Sequence, residues 1–166
     1  LTVARGVLDL AGTGKLDNVP VTLDWKENFA GDSIRTRYRL HGTFDDEARH
    51  KLGVDWLPDM IAGPVGVDLS FQRHRNDFAD SDIALDLTNA SLTIDRIGWK
   101  KAPGTPASAH LVISARNEQP TRIDDLTVHG GGLEARMGMT LTGSEIDARI
   151  AHVDLHRLTV GKTDIS

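Results

Sequence analysis

Histidines and carboxylates are the side chains with which this sequence would do chemistry, and their spacing decides how much. The densest group is "HVDLH", with His152, Asp154 and His156. On a helix, the two histidines four apart would share a face and a metal ion. On a strand, positions 152, 154 and 156 also share a face but spread over ~13 Å at ~3.3 Å per residue. Val153 and Leu155 supply an apolar row there, so the strand reading leaves the histidines on the wet side and no metal site.

The carboxylate doublets are no stronger. Asp45-Asp46 stands where a helix pattern begins, a place at which acidic residues complement the helix dipole. Asp124-Asp125 lies in the turn-like "RIDDL". A glycosidase needs two carboxyls opposed across a cleft, which neither doublet supplies. "GTGK" lacks the spacing and the following Ser or Thr of a phosphate loop. "HGGG" (His129 to Gly132) matches an oxyanion-hole string in letters, yet no strand–turn–helix nucleophile accompanies it. Its glycines read as a turn or bulge between two strands. Zero cysteines remove disulfides, thiolate metal sites and cysteine nucleophiles. The expectation is a protein that is not an enzyme and uses no cofactor. An enzyme would require a pocket bringing two of His41, His74, His110 or His129 close to a carboxylate.

Charge and hydropathy narrow the partners. A net charge of −5 opposes nucleic-acid binding, and the local patches "FQRHRND" and "GWKK" are not interleaved with several aromatics. No stretch reaches the ~18 to 20 apolar residues that span a bilayer. "LTVARGVLDL" alternates like a strand rather than running like a signal peptide. Leu1 in place of Met and the abrupt "KTDIS" predict an excised segment or a processed chain of one domain, residues 1–166. Three tryptophans, four phenylalanines and one tyrosine, dispersed along the chain, are a thin supply for a sugar-binding platform.

The elements that must position these residues are strands. In "NVPVTLDWKENF", Val19, Val21, Leu23 and Trp25 alternate with Pro20, Thr22, Asp24 and Lys26, giving one apolar and one wet face. Ile34, Tyr38 and Leu40 repeat the pattern against Arg35, Arg37 and Arg39. Val65, Val67, Leu69 and Phe71 form the next row, followed by Ile83, Leu85 and Leu87. Leu92 and Ile94 precede a phase slip to Ile97 and Trp99 that suggests a bulge. Leu111 and Ile113, Leu126 and Val128, then Met137, Met139 and Leu141 continue the series. Ile146 to Ile150, then Val153 and Leu155, finish it. Gly, Asn, Asp and Pro clusters punctuate the rows at turn spacing, which argues an antiparallel all-β meander. A helical insert interrupts it at about 45–62. Asp45 caps a short helix through Leu52 that stops at Gly53, and a second turn places Leu57, Met60 and Ile61 at helical spacing after Asp55. The insert reads as a cover for one end of the sheet in preference to a moving lid.

"GTGKLDNVPVTLDWKENF", "RYRLHGTFDDEARHKLGVDWLPDMIAGPVGVDL" and "IDDLTVHGGGLEARMGMTLTG" resemble the AsmA-like superfamily of Gram-negative bacteria, and its YhdP-like branch above all. The likeness lies in glycines and alternation and carries no catalytic group. It implies a repeating β-groove: a curved antiparallel sheet whose concave, apolar face holds phospholipid acyl chains between inner and outer membranes. It further implies a periplasmic location, tethering to the inner membrane, and adjacent groove repeats of the same protein as partners. The groove lining would be the alternating apolar positions named above. Unlike such proteins, this stretch shows no amino-terminal membrane helix, and its length supplies only a short groove. The competing expectation is a closed β-sandwich or barrel, an adhesion or carbohydrate-binding module, with two apolar faces packed ~10 Å apart.

Overall fold

The computed structural model describes residues 2–4, 6–31, 33–53, 59–116, 121–142, 149–161 and 163–165. Alternation becomes one long sheet. Its nine long strands are β2 (Val7–Leu16), β3 (Val19–Asn28), β4 (Ile34–Phe44), β6 (Val65–His74), β7 (Phe78–Asp86), β10 (Ala107–Arg116), β11 (Thr121–Gly130), β12 (Leu133–Thr142) and β13 (Arg149–Val160). Short strands β1 (Thr2–Ala4) and β14 (Thr163–Ile165) flank them, in the order β1-β2-β3-β4-β6-β7-β10-β11-β12-β13-β14. Every pairing is antiparallel. The sheet is open and does not close into a barrel.

Tight turns keep neighbours in sequence beside each other in space. Asp17 and Asn18 both adopt positive φ, and so do Gly131 and Gly132, where Gly130 pairs with Leu133. Two-residue turns of this hand match the twist of the flanking strands. "HGGG" is therefore a hairpin.

The meander is broken twice, and the two excursions meet. One runs through helix α1 (Asp46–Lys51) and β5 (Ile61–Ala62), the other through β8 (Ser91–Ile94) and β9 (Trp99–Lys101). Together they build a second sheet, β5-β8-β9. The helix is capped as expected: Asp45 accepts from the Ala48 amide at 2.9 Å, and Gly53 follows with φ +69°. The second helical turn is corrected at its end, because Ile61 pairs with Leu92 in a strand. Asp55, Trp56, Leu57 and Pro58 lie outside the described residues. The slip after Ile94 is corrected too. A single 3₁₀ turn ending at Gly98 (φ +65°) reverses the chain, so Ile94 and Trp99 pair across a hairpin.

True bulges occur elsewhere and rescue the pattern. Ile123 pairs with Met139 but Leu126 with Met137, so Asp124 and Asp125 occupy a bulge inside β11 and not a turn. In β13 two more bulges let Ile150, Val153, Leu155 and Leu158 follow the partner strand's phase. Each extra residue keeps the apolar side chains on one face, where an unbroken alternation would flip them. Ile146 and Ala148 lie outside the described residues.

The packed core sits where the second sheet lies on the first. Val65, Leu87, Ala90, Leu92, Trp99, Ala107, Ala109 and Leu133 are buried together. Gly130 lies at the tightest approach: a Cβ there would stand 2.4 Å from both Ala107 Cα and Pro106 O, at φ +127°. Gly130→Ala is expected to destabilise the protein by about 2–4 kcal/mol through combined clash and backbone strain. Gly12→Ala, with open space around it, is expected to stay within about 0.5 kcal/mol of the parent. Urea unfolding midpoints of the pair check this.

Candidate apolar trough and its roof

Cross-strand register turns scattered sequence positions into continuous rungs. One rung runs Leu23–Leu40–Leu69–Ile83–Leu111–Leu126–Met137–Leu155 across eight strands. A second runs Leu10–Trp25–Tyr38–Phe71–Ser81–Ile113–Ile123–Met139–Val153. A third contains Val21, Gly42, Val67, Leu85, Ala109, Val128 and Ala135. With strands ~4.8 Å apart, the stripe is roughly 38 Å long.

The stripe is covered unevenly. From β6 to β13 its third rung and the strand ends beyond it lie under β5, β8 and β9, with Ile61, Leu92, Ile94 and Trp99 in one packed cluster with Val67, Leu85, Ala109 and Val128. Leu111 and Ile123 are sealed as a small satellite core. The first two rungs are otherwise half-buried to exposed: Trp25 is 37% exposed, Val153 44% and Leu155 53%. An exposed apolar area that runs across several strands is unusual enough to need a reason.

The expected lining residues therefore separate. Leu23, Trp25, Tyr38, Leu40, Leu69, Phe71, Ile83, Ile113, Met137 and Met139 line the uncovered part. Val65 and Leu87 belong to the closed core. Leu92 and Ile94 belong to the roof itself, on the second sheet. Val19 pairs with Leu16 at the far edge, and Ile34 pairs with His74 across a bulge. Leu141 pairs with Thr121 and Ile150, while its side chain is outside the described residues. Ile123 escaped the sequence reading because the double-Asp bulge puts it out of phase with Leu126. The aromatics are less dispersed than their numbers suggest: Trp25, Tyr38 and Phe71 are consecutive on one rung, and Tyr38 stacks on Phe71 with centroids 4.6 Å apart.

The roof is pinned by two buried cations. Arg49 donates to the carbonyls of Phe44 (3.1 Å), Gly63 (2.7 Å) and Ile61 (3.2 Å), and pairs with Asp46. Lys101 donates through Nζ to the carbonyls of Thr88, Ala90 and Ala102 at 3.2, 2.7 and 3.1 Å. Trp99 Nε1 ties the same sheet to Gly131 O at 3.1 Å. Loss of the burial-driven water shell pushes the Lys101 pKa below the ordinary lysine value, with the Asp86 charge acting weakly the other way. The Arg49 bonds tie helix α1 to the chain entering and leaving β5, and the Lys101 and Trp99 bonds hold β9 to its neighbours.

On the opposite, polar face five of the seven histidines each meet a separate carboxylate. His41 meets Asp68 at 2.7 Å, His110 meets Asp82 at 3.1 Å, His74 meets Asp80 at 3.0 Å and His129 meets Glu134 at 3.2 Å. His152 meets Asp154 at 3.0 Å. Asp124 accepts from Ser114 Oγ, and Asp125 takes both arms of Arg136. Two shallow depressions on this face, about 430 and 210 Å³, are open dishes between such pairs. Among the described residues, no group of three His, Asp or Glu side chains is placed to hold a metal ion, and no helix is long and apolar enough to cross a membrane.

Arg49→Met leaves three carbonyls unpaired and is expected to cost about 3 kcal/mol in urea unfolding. For Lys101, the native state binds fewer protons than the unfolded state between its lowered pKa and the ordinary lysine value near ~10.4. Its contribution to stability therefore rises with pH across that window. Lys101→Met is expected to remove that rise, as measured by urea midpoints taken from about pH 7 to about pH 10. No family model, curated protein or solved structure matches the chain.

Proposed function

We propose that this protein holds the acyl chains of phospholipid on its half-covered apolar stripe, as one segment of a longer lipid-conducting groove in the periplasm. The observation that carries the reading is the pair of adjoining rungs over eight or nine strands, apolar but for Ser81 and half-exposed except at the sealed pair Leu111 and Ile123, while a second sheet roofs only one side. Each CH₂ taken out of water contributes roughly 0.8 kcal/mol, and a stripe made mostly of Leu, Ile, Val and Met offers few polar anchors to stop a chain from sliding. The resemblance of the quoted segments to AsmA-like, YhdP-like proteins points the same way. It supplies the periplasm, the inner-membrane tether and the two membranes as partners. Adjacent repeats would continue the sheet at its flanking strands β1 and β14, whose outer edges are the natural places for strand addition.

The reading predicts that phospholipid copurifies with the protein and is retained in native mass spectrometry. Leu69→Asp and Leu40→Asp, placing a carboxylate mid-stripe, are expected to reduce retained lipid at least about tenfold, because a charge in hydrocarbon is costly. Thr22→Asp on the polar face is expected to change nothing. Circular dichroism confirms that each variant is folded. Retention of lipid by the stripe variants, or its absence from the parent protein in every mild detergent, would remove the proposal.

A further inference from the structure

We infer that the trough has a headgroup side, and that Arg73 marks it by binding the phosphate of an anionic phospholipid. This rests on the acyl-groove reading above. Beyond the aromatic rung, on the side away from the roof, the inner face ends in a fringe rung of Leu8, Glu27, Thr36, Arg73, Ala79 and Ala115. One side of the trough is closed by β5, β8 and β9 and the other is this lip, so a lipid lying in the stripe has its polar end here. Among the described side chains, Arg73 is the one Lys or Arg on the regular inward phase of the nine long strands, while Arg35, in the β4 bulge, reaches the same lip and is held there by Glu27.

Its surroundings suit a phosphate diester. Arg73 is exposed and has no carboxylate within ion-pair distance among the described residues, while Glu27, the inward carboxylate of the same rung, is engaged by Arg35 Nε at 3.3 Å. The guanidinium sits 5.9 Å from the Phe71 ring centroid, which is itself stacked on Tyr38. The planar cation is thus seated at the edge of the apolar stripe. Thr36 lies directly across from Arg73, and Ser81 directly across from Phe71 on the next rung, so both hydroxyl residues share the inner face with the cation. Arg73 stands two residues beyond Phe71, roughly 7 Å along the strand, a step from hydrocarbon to solvent. A guanidinium stays charged at every accessible pH and presents paired N–H donors to two phosphate oxygens.

The test compares dimyristoyl phosphatidylglycerol with dimyristoylglycerol, which carries the same tails without a phosphate. Both are titrated in mild detergent and read by native mass spectrometry. Arg73→Ala is expected to weaken binding of the phospholipid about five- to tenfold, the size of one partly screened charge-assisted contact. Diacylglycerol binding is expected to hold constant, with Arg73→Lys intermediate. Arg37→Ala, on the polar face, serves as the charge control and is expected to leave both unchanged. Unchanged phospholipid binding in Arg73→Ala, or equal losses of both lipids, would overturn the headgroup site and leave the groove standing. Binding of neither lipid by the parent protein would overturn the groove and the site together.

Discussion

An antiparallel layer with one oily face has to cover that face with something, and along much of its length the described residues of this chain offer no second layer. Two-layer packing is the usual answer. Here the second layer is three short strands wide, β5-β8-β9, and shields only one margin of the eleven-stranded sheet. Leu23, Leu40 and Leu69 remain half-buried and Trp25 more exposed still. Everything else follows from that imbalance: a hydrogen-bonded roof on one side, a lip on the other, and a stripe between them.

The stripe exists only because register holds across nine strands. A slip of one residue sends every side chain to the wrong face, and four of the pairings contain such slips, one between β4 and β6 and the others along β10 to β13. Bulges at Asp124-Asp125 and in β13 absorb the latter, so that Ile123, Leu126, Val153 and Leu155 rejoin the rungs of their neighbours. The same bulges aim the two aspartates at Ser114 and Arg136 on the wet face. Bulges usually mark a place where geometry matters more than ladder bonds.

The roof's stability is polar as well as apolar. Arg49 and Lys101 each spend their donors on three main-chain carbonyls, in the loops that leave and rejoin the main sheet. Buried carbonyls without partners are costly, so these cations serve as caps for chain that has left its ladder. The polar face is different in kind. Its histidines meet carboxylates one to one, on exposed strands where each pair contributes little.

The sequence by itself determined the class, the wet and oily faces and the Gly-Gly hairpin, because a period of two and glycine turns are local properties of the chain, whereas the first turn falls at Asp17-Asn18 and the earlier Gly12–Gly14 stretch continues the strand. It determined the first helix as well, through Asp45 and Gly53. Tertiary structure decided which rows adjoin, because pairing partners lie far apart in sequence. It decided that Leu92, Ile94 and Trp99 turn back in a hairpin to roof the stripe, where alternation alone would have added them to it. It brought Trp25, Tyr38 and Phe71 onto one rung, and set Arg73 at its open edge. Those placements depend on register between strands, a quantity that no single strand encodes.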